Sequence, residues 1–260
     1  MANKDLKAFY DGVYLKGEDT HYTKLLLSSQ KMTPEKDAIL SEIQWKGKRV
    51  LDIGCGTGEL SYYISKRGVK KVTGIDYSDV AIRIAKQNYT GKNLEYKCED
   101  IGNISGTFDV IIIVGVLEHI DDPFKFLKDV KKMLSPKGSI IVTCPNWSNA
   151  RGYILLVLKE LFGAKITLAD IHYLTPIEFI DWSKKIGMKL NWKTIEQSWG
   201  HGQKMITDFE KRLPNIAKDF KSFMKPEQVS RFIGWLKTHV PQLETDQKFS
   251  GAVGFYHMKK

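Results

Sequence analysis

Cysteine is scarce in this 260-residue chain: only Cys55, Cys98 and Cys144. The number is odd and no two form a C-x-x-C pair, which leaves neither a disulfide framework nor a thiolate zinc site. A reducing, cytoplasmic setting is expected. Long apolar runs are also missing. The N-terminus, MANKDLKAFYDG, has no signal-peptide core. The longest nearly apolar stretch, around Tyr153–Phe162, is too short to span a bilayer. No metal-ligand cluster, internal repeat or low-complexity tract is visible. Nor is there any run of five or more basic residues, although the net charge is +10 and the pI about 9.3. A nucleic-acid footprint should cluster its charge. Lysines scattered in ones and twos read as a solvated surface, and nucleic acid is disfavoured as a partner.

What is present is a core. Hydrophobic residues make up 42% of the chain, enough for one large domain or a domain with a helical cap. Over residues 49–144 strands and helices alternate. Strands are expected at 49–53, 69–76, 94–98, 108–116 and 139–144, the last entered through a turn at Pro136-Lys137-Gly138. Helices fall at 59–66, 79–88 and 123–134, with one more at 34–44 before the first strand. Such alternation predicts an α/β fold: a doubly wound, mostly parallel sheet with right-handed crossovers. Beyond Pro145 the pattern predicts helices at 150–162, 175–186, 205–223 and 226–238, and strands at 190–196 and 252–258. The expected division is an N-terminal arm and first helix (1–45), a Rossmann-like core (46–200), a helical insertion or lid (201–250) and a last core strand (251–260). In the arm, Gly12 and Gly17 are expected to break the chain into short pieces. Trp182, Trp192, Trp199 and Trp235 are expected to pack the second half.

The chain is organised around VLDIGCGTGEL, residues 50–60. Val50, Leu51 and Ile53 read as the end of a buried parallel strand. Gly54, Gly56 and Gly58 then alternate, and Leu60, Tyr63 and Ile64 recur at helical spacing. Strand, glycine turn and helix make the nucleotide-binding corner of a doubly wound sheet. A phosphate-binding dinucleotide loop reads G-x-G-x-x-G. Here the third glycine comes one place early, and Glu59 stands where a pyrophosphate would sit. Asp52 adds a second acid at the strand end. The pocket therefore suits a nucleoside with a positively charged tail, as in S-adenosylmethionine. The stretch closely resembles the first motif of class I S-adenosylmethionine-dependent methyltransferases. That resemblance implies a seven-stranded sheet whose last two strands form a direct hairpin, yet here more than 40 residues separate them.

Asp76 ends the second strand, eighteen residues after Gly58. An acid there can accept both ribose hydroxyls, or it can cap the next helix. The resemblance implies that an acid after the third strand, Asp100 or its neighbour Glu99, bonds the adenine amino group, and that Ile101 packs on the ring. Cys55, Tyr77 and Val116, with Tyr14 and His21 from the arm, complete the expected cofactor set. The arm's aromatic residues either roof the site or pack on the sheet edge. The phrase VLEHIDDP, residues 116–123, resembles the methyltransferase branch that includes ubiquinone-biosynthesis O-methyltransferases and sugar- and antibiotic-tailoring enzymes.

His119, in that phrase, is a candidate general base, and His172 is a second. Tyr10, Asn146, Trp147 and Tyr173 are candidate contacts to the acceptor. The expected function is methyl transfer to a small molecule, most simply to a hydroxyl oxygen of a sugar, phenol or lipid precursor, by a chain that forms a homodimer or acts alone. Three alternatives stay open: a dinucleotide-dependent oxidoreductase, an RNA methyltransferase, and a cofactor-binding subunit without catalysis.

Overall fold

The computed structural model describes residues 4–16, 32–167, 169–219, 226–239 and 248–260. The core is a seven-stranded sheet in the order β3-β2-β1-β4-β5-β7-β6. β1 (Arg49–Ile53), β2 (Lys71–Asp76), β3 (Leu94–Cys98), β4 (Phe108–Val114) and β5 (Leu134–Pro145) run parallel. β7 (Val253–Lys259) inserts antiparallel between β5 and β6 (Lys189–Ile195). β1 and β4 are central and covered on both faces, which explains their near-continuous apolar sequence. The expected turn at Pro136-Lys137-Gly138 lies inside β5 instead. There the register shifts, with Phe108 opposite Leu134 and Val110 opposite Ser139.

Helices cover both faces. α1 is Lys4–Lys16, α2 Pro34–Glu42, α3 Glu59–Ser65, α4 Asp79–Asn88 and α5 Pro123–Lys132. α6 is Ala150–Phe162, α7 Pro176–Lys185, α8 Gln197–Gly200, α9 Gln203–Asp219 and α10 Pro226–His239. Several starts are set by side-chain caps. Thr33 accepts from the Lys36 amide ahead of α2, Asp122 from the Lys125 amide ahead of α5, and Asn149 from the Gly152 amide ahead of α6. Thr175 and Glu178 form a capping box on α7. One face of the sheet buries Leu51, Ile113, Leu127, Val142 and Phe179 together. The other buries Ile39, Leu60, Ile64, Val110, Ile112 and Ile141 under α2 and α3.

A third apolar cluster joins α6, α9 and α10 through Leu155, Phe209, Leu213 and Val229, with Trp147 at its base. Of these helices α9 and α10 lie between β6 and β7, where the insertion is expected, and α6 precedes β6. Of the four tryptophans expected to pack the second half, Trp182 and Trp192 border the main core. The Trp235 side chain lies outside the described residues. Among the described residues no helix is long and apolar enough to cross a membrane.

The arm departs from expectation. Gly12 does not break it; α1 is one continuous 13-residue helix that passes through Gly12. A helical glycine costs roughly 1 kcal/mol relative to alanine, and tertiary contacts offset that here. Lys7 bonds both Asp11 and the α4 residue Asp79, and Ser78 donates to Asp11. Ser78 also caps α4 by accepting from the Ala81 amide. One serine thus ties the arm to the start of the helix that follows β2.

Candidate functional site

The glycine turn leaves β1 and folds against β2: the Gly54 and Cys55 amides both donate to the Ile75 carbonyl. Gly54, Gly56 and Gly58 have φ of 71°, 52° and 84°, a region that L side chains rarely adopt. Their surroundings differ. A Cβ on Gly54 would stand 2.4 Å from Val116 Cγ2, and one on Gly58 would meet the Tyr96 ring at 2.6–2.7 Å. These two glycines therefore permit internal packing. A Cβ on Gly56 would face the Tyr14 hydroxyl of α1 at 3.2 Å. Gly56 is thus the glycine whose free face is turned toward α1 and its Tyr14 hydroxyl.

Asp76 lies at the carboxyl end of β2 and is 8% exposed. Its Oδ2 accepts from the Gly56 amide at 3.0 Å, and its Oδ1 from the Ser78 amide at 2.9 Å. The helix cap itself is Ser78, so Asp76 does not serve as one. A carboxylate has about four lone-pair sites, which leaves Asp76 acceptor capacity on both oxygens. Burial pushes its pKa up. Asp52 is buried deeper and accepts from the Ser61 hydroxyl at 2.6 Å; burial pushes its carboxyl up to about 6. Burial, with the charges of Asp52 and Asp76, also pushes the Cys55 thiol well up, which leaves it protonated and poorly nucleophilic. Glu59, at the first position of α3, pairs with Lys36 of α2.

Tyr77 is half-buried beside Asp76. Asp100 caps the short 3-10 turn Ile101–Asn103 through the Gly102 amide at 3.1 Å. Ile101 and Val116 both pack against the same core face. His21 lies outside the described residues.

The second half of the site follows β4. A 3-10 turn at Leu117–His119 carries Glu118 and His119. His119 Nδ1 bonds the Ala169 carbonyl at 3.1 Å, and its Nε2 bonds the Tyr10 hydroxyl at 2.9 Å. A carbonyl can only accept, so Nδ1 carries the proton and Nε2 accepts from Tyr10. Asp170 Oδ1 lies 3.8 Å from Nδ1. Burial lowers the His119 pKa, so the ring is neutral near pH 7. Burial pushes the Tyr10 phenol up, with the carboxyls of Glu118, Asp170 and Asp76 and the Tyr77 phenol adding to the shift. Tyr10 thus stands between the Asp76 side of the site and the His119 side. Of the arm's aromatic residues, Tyr10 meets His119 and Tyr14 faces Gly56, and the two rings stack with centroids 6.2 Å apart; Tyr22 lies outside the described residues.

The remaining candidates separate. His172 bonds the Asp121 carbonyl at 3.3 Å on the exposed side. Its loop is held to the His119 turn, since the Ile171 and His172 amides both donate to the Glu118 carbonyl. Asn146 is 2% exposed. Its amide nitrogen donates to the Phe249 and Gly251 carbonyls, and its oxygen accepts from the Ser148 amide and hydroxyl. That is a clamp between the end of β5 and the approach to β7, and it leaves the amide nitrogen no proton for an acceptor. Trp147 is also buried and meets Tyr173 edge-on at 4.7 Å. Tyr173 is half-buried, with Lys159 Nζ 5.1 Å above its ring.

Glu118 and Asp170 belong to this cluster without having been singled out from sequence. Glu118 stood in plain view within VLEHIDDP, but only the fold shows it to be 3% exposed. Its Oε2 is buried without a hydrogen-bond partner among the described residues. Burial, with the Asp170 and Glu35 carboxyls adding to it, pushes Glu118 up to about 8. The folded chain therefore holds this proton more tightly than the unfolded chain. The stability it contributes is complete below the ordinary glutamate range and is lost as pH rises to about 8. Glu118→Gln should remove that loss. Thermal melts of the two proteins should converge near pH 4 and diverge in favour of the variant up to about pH 9, by on the order of a few kcal/mol. Melting curves that stay parallel across that range would show that Glu118 is not protonated in the fold.

Comparison with known proteins places the chain in a family. The family profile of a methyltransferase domain matches residues 51–142. A ubiquinone biosynthesis O-methyltransferase of Coxiella burnetii is 30% identical over 161 residues, 58% of this chain and 68% of the relative. Another, from Pseudomonas fluorescens, is 28% identical over 184 residues, 67% of this chain and 76% of the relative. Among solved structures, a chain of the Haloferax volcanii complex between the Trm112 methyltransferase activator and a methyltransferase superposes with a TM-score of 0.61 at 14% identity, covering 100% of this chain and 99% of that one. The plantazolicin methyltransferase BpumL gives 0.56 at 19% identity, over 99% and 96% of the two chains. At those identities the structures attest the fold alone. The profile falls on the strands that carry the glycine turn, Asp76 and His119, and with the Coxiella relative it decides the family: the chain belongs to the class I S-adenosylmethionine-dependent methyltransferases.

Proposed function

We propose that this enzyme methylates a hydroxyl oxygen of a small molecule, in the cytoplasm. The observation that carries the reading is the neutral, half-buried His119 just past the carboxyl end of β4, its Nε2 accepting from Tyr10. It lies across the sheet end from an acidic glycine turn and under the same aromatic arm. The relatives named for O-methylation in ubiquinone biosynthesis support an oxygen acceptor.

The residues present fit S-adenosylmethionine. The turn offers a side-chain-free face at Gly56, Asp76 keeps spare acceptor capacity beside it, and the Tyr10 and Tyr14 rings lie above. Carboxylates and aromatic faces suit a cationic nucleoside, not a pyrophosphate. When bound, the cofactor supplies a methyl group already activated by its sulfonium. Asp76 would hold the ribose hydroxyls, Ile101 and Val116 would flank the adenine, and Asp100 or Glu99 would take its amino group. The chain's remaining work is to align an acceptor, exclude water and take a proton. Orientation of this kind can lower a barrier by roughly 7–11 kcal/mol. His119 supplies the basic nitrogen.

Calorimetric titration with S-adenosylmethionine and with NAD, followed by an acceptor screen read by adenosylhomocysteine release, tests the reading. Binding of NAD instead, or release only with RNA as acceptor, would overturn it. Asp76→Ala should weaken S-adenosylmethionine binding about tenfold or more, since a charged acceptor is worth roughly 1.5–3 kcal/mol. An affinity within twofold of wild type would leave Asp76 as a brace for the turn only.

A further inference from the structure

We infer that Tyr10 is a catalytic residue: its hydroxyl, hydrogen-bonded to His119 Nε2, receives the acceptor's proton while passing its own to the histidine. The inference rests on the proposed transfer to a hydroxyl and specifies how the proton leaves.

The route through His119 leads by way of Tyr10. An imidazole has two nitrogens, and both are engaged: Nδ1–H on the Ala169 carbonyl at 3.1 Å, and the Nε2 lone pair on Tyr10 at 2.9 Å. The basic lone pair is therefore covered by a phenol. An acceptor that approaches this nitrogen meets the Tyr10 oxygen first, and that oxygen still has acceptor capacity while its own proton points at Nε2. Tyr10 is placed by its neighbours: Phe9 meets it edge-on at 5.3 Å, Tyr14 stacks on it at 6.2 Å, and the His119 ring lies 5.8 Å away. The helix that carries it is fastened to α4 by Lys7 and Asp11.

The step balances without a co-reactant. The acceptor O–H bond breaks as a new O–H bond forms on Tyr10. The original Tyr10 O–H bond breaks as an N–H bond forms on His119 Nε2. The acceptor oxygen keeps the electron pair with which it takes the methyl group. Nothing is oxidised or reduced, and the imidazolium returns its proton to water after the product leaves. Asp170, 3.8 Å from Nδ1, lies where a carboxylate steadies that imidazolium. Its carboxyl, pushed up to about 6 by burial, stays charged at neutral pH. Tyr10 never has to exist as a free phenolate, which its buried surroundings disfavour.

The test uses 4-nitrocatechol as a probe, because its ionisation changes its visible absorption. The probe is titrated onto the full chain saturated with adenosylhomocysteine, below the pH at which the free probe ionises. Wild type should bind it and turn it to the anion. Tyr10→Phe, which keeps the ring contacts, should bind it within threefold but form at least tenfold less anion. His119→Asn, which still accepts from Tyr10 but takes no proton, should do the same. If Tyr10→Phe forms as much anion as wild type, Tyr10 is only a latch for the arm and the inference falls. If wild type binds the probe without ionising it, the relay falls while the cofactor assignment stands. If wild type binds adenosylhomocysteine but not the probe, the placement of a hydroxyl acceptor against Tyr10 falls and the relay with it; if it binds neither, the proposed function itself falls.

Discussion

Replacing Gly56 with valine is expected to abolish measurable binding of S-adenosylmethionine, a loss of at least about 100-fold or roughly 3 kcal/mol, while the far-ultraviolet circular dichroism is kept. Two effects act together. The residue has a φ of 52°, and a β-branched side chain is a steric outlier there. The new Cβ would also point at the Tyr14 hydroxyl, 3.2 Å away, into the space proposed for the cofactor. The neighbouring glycines are the control. Gly54 and Gly58 substitutions drive a Cβ into Val116 or Tyr96, both of which pack against the core. They should therefore lower the melting temperature as well as binding. Gly56→Val should separate the two, and an unchanged calorimetric affinity would remove Gly56 from the cofactor seat.

His119→Ala is expected to lower kcat by roughly 10²–10⁴-fold, the range for loss of a general base. Cofactor affinity should change little, because His119 is held by Tyr10 and Ala169 and not by the glycine turn. The sign of the pH dependence follows from burial. Since burial lowers the His119 pKa, the neutral form persists to lower pH than for an ordinary histidine. The rate of the wild type should thus rise with pH along a limb placed below the usual imidazole range, then level. The variant should lack that limb. Near-normal turnover with the limb intact would place the base elsewhere, with His172 the next residue to replace.

Local signals alone carried much of this molecule. The apolar runs at 50–53 and 108–114, the glycines at 54, 56 and 58, and the Thr175-Pro176 helix start are near-neighbour patterns. Their physics is local: φ > 0 needs glycine, a buried parallel strand needs continuous apolar residues, and a helix start needs an acceptor. The existence and order of the strands, the glycine turn and Asp76 at the end of β2 were therefore readable along the chain, although the start of β5 was not. The strand order, with β7 between β5 and β6, is set by pairings between distant segments and follows from no local pattern.

Other features only the tertiary structure decided, because they depend on partners distant in sequence. Gly12 looked like a helix breaker, yet α1 runs through it because Lys7 and Asp11 reach residues 67 or more positions away. Asn146 looked like an acceptor contact, yet its amide clamps residues more than 100 positions later. His119 was visible as a histidine after a strand, but its tautomer came from Ala169 and its occupied lone pair from Tyr10, 109 positions earlier. A side chain's chemistry depends on who donates to it, who accepts from it and how much water reaches it. Those are properties of the packed site, and the order of residues along the chain does not contain them in readable form.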